Sequence, residues 1–143
     1  MIENDIKVFF ERIDRLTLDH KPLFGKMNVN QMICHCADQI RMALGSKIPL
    51  EYGNVDVKEI MALAKAGKSV PAPKGLGQVE GEGTPPTDFE NDKKLLKETV
   101  LEFANWKEEE PMADHAYFGP ADKTRWTKMV IYHLDHHLKQ FGV

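Results

Sequence analysis

Four stretches of the chain repeat apolar residues at three- and four-residue intervals, a pattern that predicts four amphipathic α-helices. They cover residues 4–16, 29–44, 87–106 and 120–142. Two of them open with a capping box, in which Asn28 is followed by Gln31 and Thr87 by Glu90. Pro120 suits the first position of the last helix. No convincing alternation of apolar and polar residues is left over to predict a β-strand.

The long segment between the second and third helices is rich in glycine and proline, which indicates a crossover connection. It holds one short helix, opened by Asp56 and Glu59 and closed by Gly67. The sequence therefore predicts a single all-α domain over residues 1–143. Its fold is a four-helix bundle in up-down-down-up order, with the extra helix inside the crossover.

The connections also predict which helix ends meet. A short loop makes helices one and two antiparallel neighbours, and the crossover lets helix three run parallel to helix two. Helix four then returns antiparallel to helix two. His35 lies early in helix two, whereas His133 and His137 lie late in helix four. We therefore expect these three histidines at the same end of the bundle.

The overall composition restricts the partners of the chain. The 143 residues carry a formal net charge of -3 without a basic cluster, so we do not expect nucleic acid binding. No stretch is apolar over the roughly 20 residues that a membrane span needs, so we expect no span, and the polar first residues lead us to expect no signal peptide. Cys34 and Cys36 are too close for an ordinary structural disulfide, which favours a reducing compartment. The expected location is the cytoplasm.

The densest concentration of metal-ligand chemistry is the segment from His133 to His137. Residues four apart lie on one face of a helix, so His133 and His137 form a chelating pair. With His35 they predict a three-histidine site for one divalent metal ion, with coordination positions left open. Zinc and nickel are the preferred metals, and iron and manganese are the alternatives. The competing interpretation is a solvated polar edge of the last helix.

Two neighbouring polar residues are candidates for supporting or catalytic roles. Asp38 lies three residues after His35 and would orient its imidazole or accept a proton, unless it is a plain surface carboxylate. Gln140 lies three residues after His137 and reaches the same site as a supporting residue. His136 points away from the chelating axis, and we expect it to be a polar neighbour of the site.

Other residues are given structural or incidental roles. Adjacent helical positions point about 100° apart, so Cys34 and Cys36 cannot share a metal with His35, and we place them in or near the core. Trp126 is expected in the core, and His20 and His115 are expected to be incidental loop residues.

The chain resembles a known family at both ends of the histidine motif. Trp126, followed by His133-Leu-Asp-His136-His137-Leu-Lys-Gln140-Phe-Gly, resembles the end of DinB-like proteins, in a branch that finishes in His-His-Leu-x-Gln-Phe-Gly. The stretch from Asn28 to Asp38 is similar to the segment that supplies the first histidine of that family. The resemblance implies a four-helix bundle with a three-histidine metal site, a homodimer, and metal-dependent chemistry on small molecules. For some relatives the small molecule is a low-molecular-weight thiol.

Three functional hypotheses follow. The first is a metal-dependent enzyme, a transferase or hydrolase, that activates a thiol or water. The second is a protein that binds a metal or small ligand without chemistry, and the third is a dimeric scaffold with a vestigial site. Because protonated imidazole cannot bind a metal, an ordinary histidine pKa predicts that binding weakens as the pH falls through about 6 to 7.

Overall fold

The computed structural model describes residues 1–143 and contains five α-helices and no β-strand. The helices are α1 (Glu3–Arg15), α2 (Val29–Leu44), α3 (Val57–Lys65), α4 (Phe89–Asn105) and α5 (Lys123–Gln140). The all-α prediction is confirmed: α1, α2, α4 and α5 form a bundle, and α3 is the short helix of the crossover. None of the five helices is both long and apolar enough to span a membrane.

Contacts between helix ends fix the direction of each bundle helix. Three pairs join different helices: Asn30 with Asp92, Lys93 with Leu16, and Arg12 with Asp135. The first pair joins the beginnings of α2 and α4, so these helices are parallel. The second joins the beginning of α4 to the end of α1, and the third joins the last turns of α1 and α5. The order is therefore up-down-down-up, as predicted.

The neighbour relations differ from the prediction in one respect. α2 packs against α4 and α5, and α1 packs against the same two helices, but α1 and α2 do not approach each other. They lie on a diagonal of the bundle, so the prediction that they are neighbours was wrong. The connection 16–28 is long enough to cross the end of the bundle, which a two- or three-residue turn could not do.

Two helices begin later than predicted, because an aspartate caps each of them. α4 is capped by Asp88, whose carboxylate accepts a hydrogen bond from the backbone N–H of Asn91, whereas Thr87 lies outside the helix. α5 is capped by Asp122 and not opened by Pro120. The cap of α2 is Asn28 with the reciprocal Gln31 contact, as predicted.

The hydrophobic core lies between the four bundle helices and holds 22 buried apolar residues. α2 is buried on nearly all sides, because α4 and α5 flank it and the crossover covers a third face. Trp126 is fully buried, as predicted, and its indole N–H donates a hydrogen bond to the carbonyl of Ala113. Three polar residues of α2, His35, Asp38 and Gln39, are therefore buried.

Candidate metal centre

The three predicted histidines meet at one end of the bundle, with their Nε2 atoms facing one another. The Nε2 atom of His35, on α2, lies 2.9 Å from that of His133 and 3.1 Å from that of His137, both on α5. His35 and His137 are each only 8% exposed, and His133 is half-buried. The antiparallel packing of α2 and α5 produces this convergence, since it places the first half of α2 beside the last turns of α5.

Hydrogen bonds alone cannot satisfy this arrangement. An imidazole nitrogen carries either one hydrogen or one lone pair, so Nε2 of His35 can form a hydrogen bond with only one of its two neighbours. In addition, the Nδ1 atoms of His35 and His133 are buried without a hydrogen-bond partner. Buried polar atoms are paired in most proteins, so a cluster left this incomplete is positioned to bind a further group, such as a metal ion.

The electrostatics keep all three imidazoles neutral at pH 7. Burial lowers the pKa of His35 to about 4, although the charge of Asp38 partly opposes this shift. Burial also holds the pKa values of His133 and His137 well below the usual range. The neighbouring histidines lower both pKa values further, although the hydrogen bond with Gln140 partly opposes the shift of His137. Neutral imidazoles expose lone pairs, as a metal requires. With these lowered pKa values, protons would compete with a metal for the imidazole nitrogens only below the pH 6 to 7 expected from an ordinary histidine.

The donor set fits a divalent transition metal. A metal bound at about 2.0–2.1 Å from tetrahedrally arranged nitrogens separates those nitrogens by roughly 3.3 Å, close to the two distances observed. The ligand atoms of all three histidines lie within 4.8 Å of one another. No other group of metal-ligating side chains comes together in this way. A metal held by these three imidazoles alone would keep further coordination positions free, as catalytic metal sites do.

Gln140 contacts the site directly. Its Oε1 atom lies 2.7 Å from Nδ1 of His137, and its Nε2 atom donates a hydrogen bond of 2.8 Å to the carbonyl of Phe24. A glutamine that accepts from Nδ1–H leaves Nε2 of the histidine free for a metal. The position agrees with a supporting role, and a part in catalysis stays a prediction.

Asp38 has partners other than the one expected. Its carboxylate is fully buried and accepts hydrogen bonds from the backbone N–H and the hydroxyl of Thr84, and it pairs with Arg41. It forms no hydrogen bond with His35, whose Nδ1 is unpartnered. Asp38 therefore fastens the crossover to α2 and acts on His35 through its charge. A role as proton acceptor stays a prediction.

The remaining histidines lie outside the cluster. His136 is half-buried between the rings of Phe24 and Tyr132, consistent with the neighbouring role predicted for it. His115 was expected to be incidental, but it is 6% exposed, packs on Trp126, and accepts hydrogen bonds from two backbone N–H groups. It organises the turn before α5. The Gly-Pro pair that follows it predicts a turn, but not which side chain fills it.

The cysteines are core residues, as predicted. Cys34 and Cys36 are both buried and free. Burial and the nearby charge of Asp92 raise the pKa of Cys34 to about 12, and burial raises that of Cys36 as well. Neither is a thiolate at neutral pH, so neither competes with the histidines for a metal.

A comparison with protein families gives a match over nearly the whole chain. The family described as "Protein of unknown function (DUF1569)" matches residues 4–142. The chain belongs to this family. The match includes all three clustered histidines, Asp38 and Gln140, so the candidate metal centre of this DUF1569 chain lies within the family domain. Comparisons with curated proteins and with solved structures gave no match.

Proposed function

We propose that this DUF1569 protein is a DinB-like metalloprotein that binds one divalent metal ion through His35, His133 and His137. The observation that carries the proposal is the convergence of three neutral Nε2 atoms, which hydrogen bonds cannot satisfy. The resemblance of the His133–Gln140 segment to DinB-like proteins supports it independently. Zinc or nickel fits three imidazoles best, and iron or manganese is the alternative.

The proposed activity is transfer of a thiol or hydrolysis on a small-molecule substrate. A divalent metal at this site would lower the pKa of a bound thiol or water and so provide a nucleophile at neutral pH. Burial keeps the three histidines neutral, and the hydrogen bond from Nδ1 of His137 to Gln140 would hold that imidazole in place. Asp38, buried one turn after His35, is the proposed proton acceptor. A low-molecular-weight thiol is the proposed substrate class, on the basis of the resemblance.

The proposed setting is a cytoplasmic homodimer. Support for the dimer comes from the DinB-like resemblance. Light scattering on the purified protein tests it, because a homodimer has twice the mass of the 16.3 kDa chain.

Metal analysis by mass spectrometry tests the metal proposal. We expect about one equivalent of metal in the wild type and almost none in a His133→Ala, His137→Ala double variant. His136→Ala is the matched control, because it removes a half-buried imidazole from the same helix that is not in the cluster. Wild-type protein that stays empty with zinc, nickel, iron and manganese would contradict the proposal and favour the vestigial scaffold.

Assays on the loaded protein then separate enzyme from binding protein. A catalytic site keeps an exchangeable position on the metal, whereas a site that only stores or senses metal has a closed coordination shell. X-ray absorption measures the coordination number and shows whether an added thiol contributes a sulfur ligand. Thiol transfer or hydrolysis that disappears in the double variant supports the enzyme, and a closed shell without turnover contradicts it.

A further inference from the structure

The loop between α1 and α2 touches the end of α5 beside the histidine cluster. The backbone N–H of Leu23 donates a hydrogen bond of 2.8 Å to the carbonyl of Gln140. The next residue, Phe24, accepts a hydrogen bond from the side chain of Gln140, and its ring lies 5.3 Å from that of His136. The loop therefore contacts both the backbone and the side chain of the residue that supports His137.

These contacts determine which way the Gln140 amide points. The carbonyl of Phe24 can only accept a hydrogen bond, so the NH₂ group of Gln140 must face it. The other end of the amide, Oε1, is an acceptor and faces Nδ1 of His137 at 2.7 Å. Nδ1 must then carry the hydrogen, which leaves the lone pair of His137 on Nε2. A backbone carbonyl in the loop thus selects the tautomer of His137 that binds a metal.

Gly25 makes this contact sterically feasible. It has a φ of +78°, and a Cβ atom there would lie 2.8 Å from Nε2 of Gln140, closer than real Cβ contacts come. Gln140 is only 2% exposed, and both ends of its amide are already in hydrogen bonds, so the amide cannot move away without changing one of them. A methyl group at residue 25 would therefore displace the amide from Phe24, from His137, or from both.

We infer that Gly25 is a positioning residue for the metal centre, acting through Gln140 to hold His137 in the Nδ1–H tautomer with Nε2 directed at the metal. The inference rests on the proposed metal site, but the tautomer itself does not require a metal. The two contacts that link Phe24 to His137, one at each end of the Gln140 amide, are both within hydrogen-bond distance. The loop is thereby part of the site although it contributes no ligand.

Gly25→Ala tests the inference, with Gly67→Ala as the matched control. Gly67 has a φ of +66° and no atom within 4 Å of an added Cβ, so both variants strain the backbone but only one reaches Gln140. We expect Gly25→Ala to weaken zinc binding about 10–100-fold, as loss of a group that orients a ligand does, and Gly67→Ala to stay within about twofold of wild type. Competition with a chelating dye measures the affinity.

A second variant shows whether the effect passes through the amide. Gln140→Met keeps a side chain of similar length and removes both polar atoms. It should weaken zinc binding as much as Gly25→Ala does, and the double variant should be no weaker than either single one. Equal affinities of Gly25→Ala and Gly67→Ala, or additive losses in the double variant, would overturn the inference. If Gly25→Ala fails to fold, Gln140→Met is the deciding variant. Wild-type zinc affinity in Gln140→Met would overturn the inference, because the effect of Gly25 is argued to pass through that amide.

Nitrogen NMR of the metal-free protein separates this inference from the metal proposal. Wild-type His137 should show the shifts of an Nδ1–H imidazole, and Gln140→Met should show a mixture of tautomers. An Nε2–H tautomer in the wild type would overturn the inference even if metal binds. Wild-type protein that has the Nδ1–H tautomer but binds no metal would refute the proposed function and leave the positioning of His137 intact.

Discussion

Two buried polar clusters lie on different sides of α2, and they differ in how completely their atoms are paired. Toward α4, the carboxylate of Asp92 accepts hydrogen bonds from the side chain of Asn30 and from the backbone N–H and hydroxyl of Thr87, at 2.6–2.8 Å. Toward α5, three imidazoles face one another, and the Nδ1 atoms of His35 and His133 have no partner.

The difference distinguishes a cluster that stabilises the fold from one that is positioned to bind a metal ion. The Asp92 cluster is complete in itself and joins the beginnings of α2 and α4. The histidine cluster is incomplete without a cation, so it costs stability in the metal-free protein. α2 thus contributes Asn30 to a cluster that stabilises the fold and His35 to the proposed metal site.

The largest expected difference between the two clusters is in how each changes the stability of the metal-free protein as the pH falls. In the metal-free protein, burial holds the pKa of His35 at about 4, below the 6.5 of an unfolded histidine. The unfolded chain therefore binds more protons between these values, and stability falls as the pH drops from about 6.5 toward 4. At about 1.4 kcal/mol per pKa unit, His35 alone accounts for a loss of roughly 3 kcal/mol, and His133 and His137 add to it.

The Asp92 cluster should not contribute to this loss. Burial tends to raise the pKa of Asp92, but the hydrogen bonds from Thr87 and Asn30 outweigh it and lower the pKa below 3.8. Its stabilising effect is thus lost only below that pH. Urea unfolding in chelator at several pH values measures the difference. Stability that stays constant between pH 7 and 4.5 would show that the histidines are not buried in the neutral form.

Removing the Asp92 carboxylate should destabilise the fold and leave the metal site unchanged. Asp92→Ala leaves the N–H and hydroxyl of Thr87 and the amide of Asn30 without their acceptor, which costs about 2 kcal/mol. Glu98→Ala, at an exposed position of the same helix, is the control and should cost less than about 0.5 kcal/mol. Urea unfolding gives the stability and dye competition the zinc affinity. A large loss of zinc affinity in Asp92→Ala would contradict the separation of the two clusters.

Replacing a histidine of the cluster by an apolar residue should stabilise the metal-free protein, by less than Asp92→Ala destabilises it. His35→Leu replaces an imidazole whose Nδ1 is unpaired with an apolar side chain of similar size. We expect the metal-free protein to become about 1 kcal/mol more stable at pH 7, while zinc binding is lost. Thermal unfolding with and without zinc measures both effects. A metal-free variant less stable than wild type would mean that His35 has a structural role.

Much of the fold could be predicted from local sequence signals, because helix ends and apolar spacing act over a few residues. Asn28 with Gln31 marks the start of α2, and the His133–His137 spacing places two ligands on one face of α5. Capping by Asp88 and Asp122 was missed, because Thr87 and Pro120 are also acceptable helix starts. Which candidate becomes the cap depends on other contacts, such as the hydrogen bonds of Thr87 with Asp92.

Local sequence patterns were enough to predict the number of helices, their order and the three histidines that meet, because periodicity, caps and loop lengths depend on neighbouring residues. The surroundings of those histidines depend on how the helices pack. Packing placed Asp38 against Thr84 instead of His35, buried His115 on Trp126, and brought the carbonyl of Phe24 to Gln140. These contacts join residues far apart in the chain, and hydrogen-bond partners at such separations follow from packing, which no local pattern specifies.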